Sequence, residues 1–315
     1  MTVDDLAERV RAGDLRALAR AISLVENEAG LAAPLIAALH PHTGRTTIVG
    51  LTGPPGAGKS TLADRLAGEW RARGQRVGII AVDPTSPFTG GALLGDRVRM
   101  QQHANDAGVF IRSMATRGQL GGVARTTADV ALVLDAGGYE VVLIETVGVG
   151  QDEVDVVRTA DIAIVVVVPG TGDDVQALKA GIMEIADIYV VNKADREGAD
   201  RTAASIEGLL ALQPAVAGAW RPPILRTEAT TGAGITALVE VVARFCTRGR
   251  EQLGARRRLR AGARVRDLLS RRLLAHVEQS LQPGEFDALI DRIARRETTP
   301  HAAAATLAAR VLGRA

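Results

Sequence analysis

The feature that most constrains this chain is the octapeptide Gly53-Pro54-Pro55-Gly56-Ala57-Gly58-Lys59-Ser60, followed by Thr61. It fits the Gly-x-x-x-x-Gly-Lys-[Ser/Thr] phosphate loop at every fixed position. An apolar run, Thr47–Thr52, precedes it and an amphipathic stretch, Thr61–Arg73, follows, so the order is strand, loop, helix. Glycines let backbone N–H groups turn inward around a β-phosphate, and the following helix presents its positive end to that phosphate. Lys59 is expected to bridge β- and γ-phosphates, and Ser60 to ligate Mg²⁺.

A loop of this kind belongs to an α/β fold, and the rest of the chain alternates accordingly. Val77–Val82, Val109–Ser113, Val141–Thr146, Ile162–Val168 and Ile188–Asn192 read as strands, with a last one after Pro222–Leu225. Their near-continuous apolar character predicts burial on both faces, as in a mostly parallel, doubly wound sheet. Helices are expected over Arg125–Ala136, Ala203–Leu212 and Ile235–Gly249. Leu6, Val10, Leu15, Leu18, Ile22 and Val25 recur at helical spacing, with a break and a new N-cap at Gly13-Asp14. Val265, Leu269, Leu273, Val277 and Leu281 step by four and form one apolar stripe. We therefore expect an N-terminal helical extension (1–44), a P-loop domain (45–249) and a C-terminal helical arm (250–315).

Three further motifs lie at predicted strand ends. In Asn192-Lys193-Ala194-Asp195, about 130 residues after the phosphate loop, a buried Asp195 carboxylate can accept from the ring N–H and exocyclic amine of guanine. Adenine offers neither pattern, and a site built on buried polar groups can discriminate by about four or five decades. Asn192 is expected to brace the loop and contact the base. In Glu145-Thr146-Val147-Gly148, Glu145 stands where many GTPases carry an aspartate that reaches Mg²⁺ through water, and Gly148 is expected to sense the γ-phosphate. Asp83, after Val77–Val82, and Asp96 invite a magnesium or water-orienting role. For Asp83 the plain alternative is a helix N-cap.

Composition narrows the rest. One cysteine, Cys246, excludes an internal disulfide and a Cys-based zinc site within one chain. His40, His42, His103, His276 and His301 show no metal-ligand spacing. The acidic N-terminus lacks a signal core and the longest apolar run, Ile162 to Pro169, is too short to span a bilayer, so a cytoplasmic protein without membrane contact is expected. Aromatic residues make up only 3%, which argues against stacking platforms for single-stranded nucleic acid. The run Arg256, Arg257, Arg258, Arg260, Arg264, Arg266 reads as a solvated helix face, or as a contact for nucleic acid or a membrane surface.

Longer strings carry a family resemblance. They are Leu39-His40-Pro41-His42-Thr43-Gly44-Arg45, Val82-Asp83-Pro84-Thr85-Ser86-Pro87, Gly90 to Met100, Glu145 to Gln151 and Gln176 to Asp187. Together with the phosphate loop they resemble the methylmalonyl-CoA mutase-associated GTPases, the MeaB/ArgK family, in the signal-recognition-particle-like class of P-loop GTPases. The resemblance implies GTP/GDP and Mg²⁺ as ligands and an adenosylcobalamin-dependent acyl-CoA mutase as partner. The implied role is to gate cofactor loading and rescue of that mutase. It also implies a homodimer joined through the C-terminal helices, a third switch over Gly170–Glu184 in which Lys179 reaches toward the nucleotide, and Asp83 and Asp96 near Mg²⁺ and the attacking water. Where such GTPases usually carry Ser-Ala after the last strand, this chain has Glu228-Ala229. Relatives have also been labelled a kinase of amino-acid transport, but no kinase catalytic loop is present. A metallochaperone-type GTPase is the alternative, though one needing Cys or His ligands that this sequence scarcely offers.

Overall fold

A computed structural model describes residues 2–27, 30–83, 103, 106–115, 122–146, 159–170, 186–212, 220–248, 250–311 and 313. Its centre is one seven-stranded sheet in which every pairing is parallel. In chain order the strands are β1 (Thr47–Thr52), β2 (Val77–Asp83), β3 (Val109–Ala115), β4 (Val141–Thr146), β5 (Ile162–Val167), β6 (Ile188–Asn192) and β7 (Ile224–Thr227). Across the sheet they run β3-β2-β4-β1-β5-β6-β7. The first strand thus lies in the middle, between β4 and β5. On one side the sheet continues to β2 and β3, on the other to β6 and β7. The point where such an order reverses is where α/β sheets open a crevice beyond the carboxyl ends of their strands.

Continuous apolar strands follow from that architecture. β4, β5 and β6 are buried along their whole length, because helices cover both faces. Alternate residues serve opposite cores. Val49, Leu51, Leu143, Ile164 and Val190 join the helices α4 (Lys59–Ala72) and α7 (Ile235–Arg248). Ile80, Val142 and Ile144 face the other way, toward α5 (Gly122–Ala136) and the N-terminal helices. On that same side Val165, Val167, Tyr189 and Val191 meet α6 (Ala199–Ala211). The expected helix after the phosphate loop starts two residues early, at Lys59, because Gly58 at φ +85° ends the loop directly against the first turn.

The N-terminal helices α1 (Val3–Arg11), α2 (Leu15–Glu26) and α3 (Ala32–Leu39) form a layer with α5 and share its core. The expected break is present. Gly13 has φ +81°, and the Asp14 carboxylate accepts from the N–H groups of Arg16 (2.8 Å) and Ala17 (3.1 Å) as the N-cap of α2. Arg9 donates to the same carboxylate through Nε and Nη2. That pair and the two amide donors hold the Asp14 carboxyl below its usual range.

Two compact units divide the chain at Arg256/Arg257. The second contains most of α8 (Arg250–Gln279), then α9 (Glu285–Ala294) and α10 (Pro300–Val311). α8 carries the apolar stripe at its surface, with Val265 at 64% exposure and Leu269 at 54%. Arg256, read from sequence as part of a solvated face, is instead half-buried. Its two Nη groups each reach the Asp187 carboxylate at 2.7 Å. Cys246 is partly buried against the core, with its Sγ 3.8 Å from Thr47 Oγ1. Among the described residues no helix is long and apolar enough to cross a membrane.

Candidate functional site

The carboxyl end of β1 runs straight into the phosphate loop, whose glycines are fixed by what surrounds them. Gly53 lies at φ +143°, and a Cβ there would stand 2.0 Å from the Val166 carbonyl oxygen on β5. At Gly58 a Cβ would stand 2.5 Å from Asn192 Nδ2. A side chain at Gly53 would require the β5 backbone to move, and one at Gly58 would displace the Asn192 side-chain amide. The loop is thus shaped by β5 and β6 as well as by its own sequence.

Lys59 is buried. Its Nζ donates to the carbonyls of Gly53 (2.6 Å) and Pro54 (3.0 Å), folding the ammonium back over the loop. Ser60 follows on the same helical turn, and its Oγ donates to Glu145 Oε1 at 2.5 Å. Glu145 sits near the end of β4 and is 1% exposed. The neighbouring Thr146 hydroxyl donates to the Leu51 carbonyl, tying the end of β4 to β1. A serine hydroxyl and a carboxylate in contact at the phosphate loop are hard oxygen donors, which fit Mg²⁺. Asp83 ends β2, one residue beyond Val82, which pairs with Thr146. Its backbone therefore stands beside the end of β4. The Asp83 side chain, and Asp96, Gly148 and Lys179 entirely, lie outside the described residues.

Asn192 ends β6 and links three segments. Its Nδ2 donates to the Ala57 carbonyl in the phosphate loop at 2.8 Å. Its Oδ1 accepts from Thr227 Oγ1 (3.0 Å) and from the Ala229 N–H (3.2 Å). Lys193 follows at φ +56°, and its Nζ donates to the Gly56 carbonyl at 2.8 Å. The two motifs, far apart in sequence, are therefore bolted together by side-chain amide and ammonium groups. Asp195 departs from its expected burial: it is exposed. It lies past the end of β6 on the rim of the site, so a purine seated against it would have to supply the desolvation that sharpens selectivity.

After β7 the chain makes a tight loop. Glu228 bridges to Ala233, and the Gly232 N–H donates to the Glu228 carbonyl at 2.8 Å. Ala229 is buried and Glu228 half-buried, directly beside Asn192. Sequence reading missed Thr227, which orients Asn192, and Arg65 on α4. Arg65 Nε donates to the Ala229 carbonyl (2.9 Å) and its Nη2 to the Thr230 carbonyl (2.6 Å). Thr227 was detectable only as the residue preceding the Glu228-Ala229 pair, and Arg65 carries no local signal at all.

The family model for the methylmalonyl-CoA mutase-associated GTPase MeaB matches residues 18–282. A candidate GTPase of Pyrococcus abyssi is 50% identical over 316 residues, covering 99% of this chain and 97% of that protein. The GTPase ArgK of Escherichia coli is 38% identical over 253 residues, 78% of this chain and 76% of that protein. The crystal structure of an LAO/AO transport system kinase superposes with a TM-score of 0.73 at 26% identity, covering 99% of this chain and 98% of the other. A family model spanning most of the chain and relatives this similar along their length agree with a phosphate loop bolted to a base motif: the chain belongs to the MeaB family of methylmalonyl-CoA mutase-associated GTPases.

Proposed function

We propose that the chain binds GTP with Mg²⁺ at the carboxyl ends of β1, β4 and β6, hydrolyses it, and uses the cycle to gate an adenosylcobalamin-dependent acyl-CoA mutase. Methylmalonyl-CoA mutase is the partner of first choice. The observation that carries the nucleotide reading is the Asn192 side chain, which joins phosphate loop, base motif and the loop after β7 in one hydrogen-bonded unit. The family membership carries the partner.

In this reading the N–H groups of Gly56 to Thr61, Ala57 included, cradle the phosphates, while Gly53, Pro54 and Pro55, the two prolines having no N–H to give, shape the turn into the loop. The Lys59 ammonium exchanges its two carbonyl partners for phosphate oxygens, a short rotation of a long side chain. Ser60 and Glu145 hold the Mg²⁺, with Asp83 and Asp96 as further acids. Bound there, Mg²⁺ would offset the negative charge of the phosphates. Asp195 accepts from the guanine edge, Asn192 and Lys193 flank the base, and Glu228-Ala229 close over it. Gly148 and Lys179 respond to the γ-phosphate and to the partner.

Intrinsic turnover is slow in this scheme. Gln151 stands three residues beyond Gly148 rather than directly after it, and completion of such a site by a partner can raise the rate by about 10³–10⁵-fold. Residues 250–315 serve as the dimerisation arm; the exposed stripe of Val265, Leu269 and Leu273 supports this. The setting is the cytoplasm. The test is GTP turnover by the purified protein with and without methylmalonyl-CoA mutase, with ATP as control. Stimulation with GTP alone is expected. Turnover equal with ATP and GTP would overturn the nucleotide assignment, and indifference to every cobalamin-dependent mutase would overturn the partner.

A further inference from the structure

The loop after β7 is anchored in the core at two points. Ala229 is 4% exposed and Ile235 is 3% exposed, and both join the cluster built around α4 and α7. Between them Thr230, Thr231 and Ala233 are exposed. Under this span lies a cavity of about 240 Å³, lined by Asp64, Gly68 and Glu69 of α4, by His103, and by Gly232 and Ile235 of the loop. Apolar packing therefore does not press the middle of the loop onto α4. The contact is made by one side chain that also borders the cavity, Arg65.

Arg65 holds two consecutive carbonyls, those of Ala229 and Thr230, with one guanidinium. In a trans peptide the carbonyl and the next residue's N–H point to opposite sides. Fixing these two carbonyls toward α4 turns the N–H groups of Thr230 and Thr231 the other way. No described residue accepts a hydrogen bond from either N–H. The neighbouring Ala229 N–H is already engaged by Asn192. A planar guanidinium suits this role, because its donors form a rigid fork that fixes two acceptors together.

We propose that Arg65 is a positioning residue for base recognition. It hangs the loop after β7 from the helix that begins at Lys59, and so presents the Thr230 and Thr231 amides as donors to the exocyclic oxygen of the purine. The inference rests on the reading of Asp195 and the Glu228-Ala229 loop as the guanine site. It adds a physical link between base and phosphates: α4 starts in the phosphate loop and, less than two turns later, holds the loop that reads the base.

The experiment measures binding of GDP, IDP and inorganic tripolyphosphate to the full chain and to R65A and R65K, with thermal melts of each. GDP and IDP share the exocyclic oxygen, and tripolyphosphate has no base. In R65A, GDP and IDP affinities should both fall about tenfold or more, since two charge-assisted hydrogen bonds are lost, while tripolyphosphate binding stays within about twofold. R65K, which keeps the charge but not the fork, should fall between. A variant in which GDP and IDP stay within twofold, or in which all three ligands weaken together, would overturn the proposal. If R65A does not fold, the same criteria apply to R65K alone. Equal binding of GDP and ADP by the unaltered chain would instead remove the guanine reading on which the proposal stands.

Discussion

The two ends of the parallel sheet solve opposite problems with opposite residues. At the amino ends of the strands, backbone N–H groups lack a partner in the ladder, and carboxylates supply it. Asp135 accepts from the N–H groups of Gly44, Arg45 and Thr46. Asp161 accepts from Ile48, Asp187 from Ala163, and Glu140 from Arg76. At the carboxyl ends carbonyls are in surplus, and cationic or amide side chains meet them: Lys59, Lys193, Asn192 and Arg65. Both sets satisfy the same backbone, as buried polar groups require. Only the second leaves a concentration of positive groups at a crevice, and positive groups can exchange a carbonyl for a phosphate. The strand direction that makes one end a foundation makes the other a phosphate site.

That contrast can be broken at either end, and the largest effect is expected at the carboxyl end. K59A should weaken GTP binding by about 10²–10⁴-fold, since its charge-assisted bonds are worth roughly 1.5–3 kcal/mol each. Unchanged far-UV circular dichroism with lost binding is the signature to look for in a titration with labelled nucleotide. Retained tight binding would refute the phosphate-loop assignment. D195N should leave phosphate binding intact and reduce the preference for GTP over ATP by about 100-fold or more. An unchanged preference in competition experiments would remove Asp195 from the base site.

Breaking the amino end should do the reverse, costing stability and sparing binding. D187A leaves the Ala163 N–H without its acceptor and the half-buried Arg256 without a carboxylate, with only the Asp161 carbonyl at 3.3 Å remaining to it, at a cost of about 3 kcal/mol in denaturant melts. GDP affinity of the folded protein should not change, and a parallel loss of affinity would mean the two ends are coupled. D135N should cost less, about 1–2 kcal/mol, because the amide oxygen can still accept from some of the three N–H groups. The smallest effect concerns an acid outside that pattern. Asp64 on α4 is buried beside the cavity, with His103 and Arg65 near it, and burial raises its carboxyl above its ordinary 3.8 despite them. The folded state then holds more protons than the unfolded one, so stability falls as pH rises from about 3.8 through the raised value. D64N should flatten that slope in melts taken across pH 4–7, and an unaltered slope would show that Asp64 does not cause it.

The same contrast explains what the sequence made legible. Strands β1, β4 and β6 begin and end where their apolar runs do, because buried parallel strands have no freedom in composition. The phosphate and base motifs stood out because glycine, lysine and asparagine are needed there in fixed order. The anchors at the amino ends did not. Asp135 and the three N–H groups it serves are about 90 residues apart, and Asp161 and Asp187 look like ordinary loop acids until the register is known. Arg256 was lost in an arginine-rich run because only pairing distinguishes it from its neighbours. The exposure of Asp195 also escaped prediction, since a motif specifies which group meets the base and not how deeply it sits.

The central position of β1 has a consequence for how the chain is made. Its two neighbours, β4 and β5, begin at Val141 and Ile162, about 90 residues or more after β1 itself. At a synthesis rate of about 5–20 residues per second, the phosphate loop waits roughly 5–20 s before a strand exists to flank it. Asn192 and Arg65's carbonyl partners arrive later still. The complete site exists only after every strand of the sheet has left the ribosome, because its last segment is the loop after β7. Bound nucleotide is therefore a mark of a completed sheet, and a truncated chain ending before β5 would carry an intact phosphate-loop sequence without the strand ends that shape it.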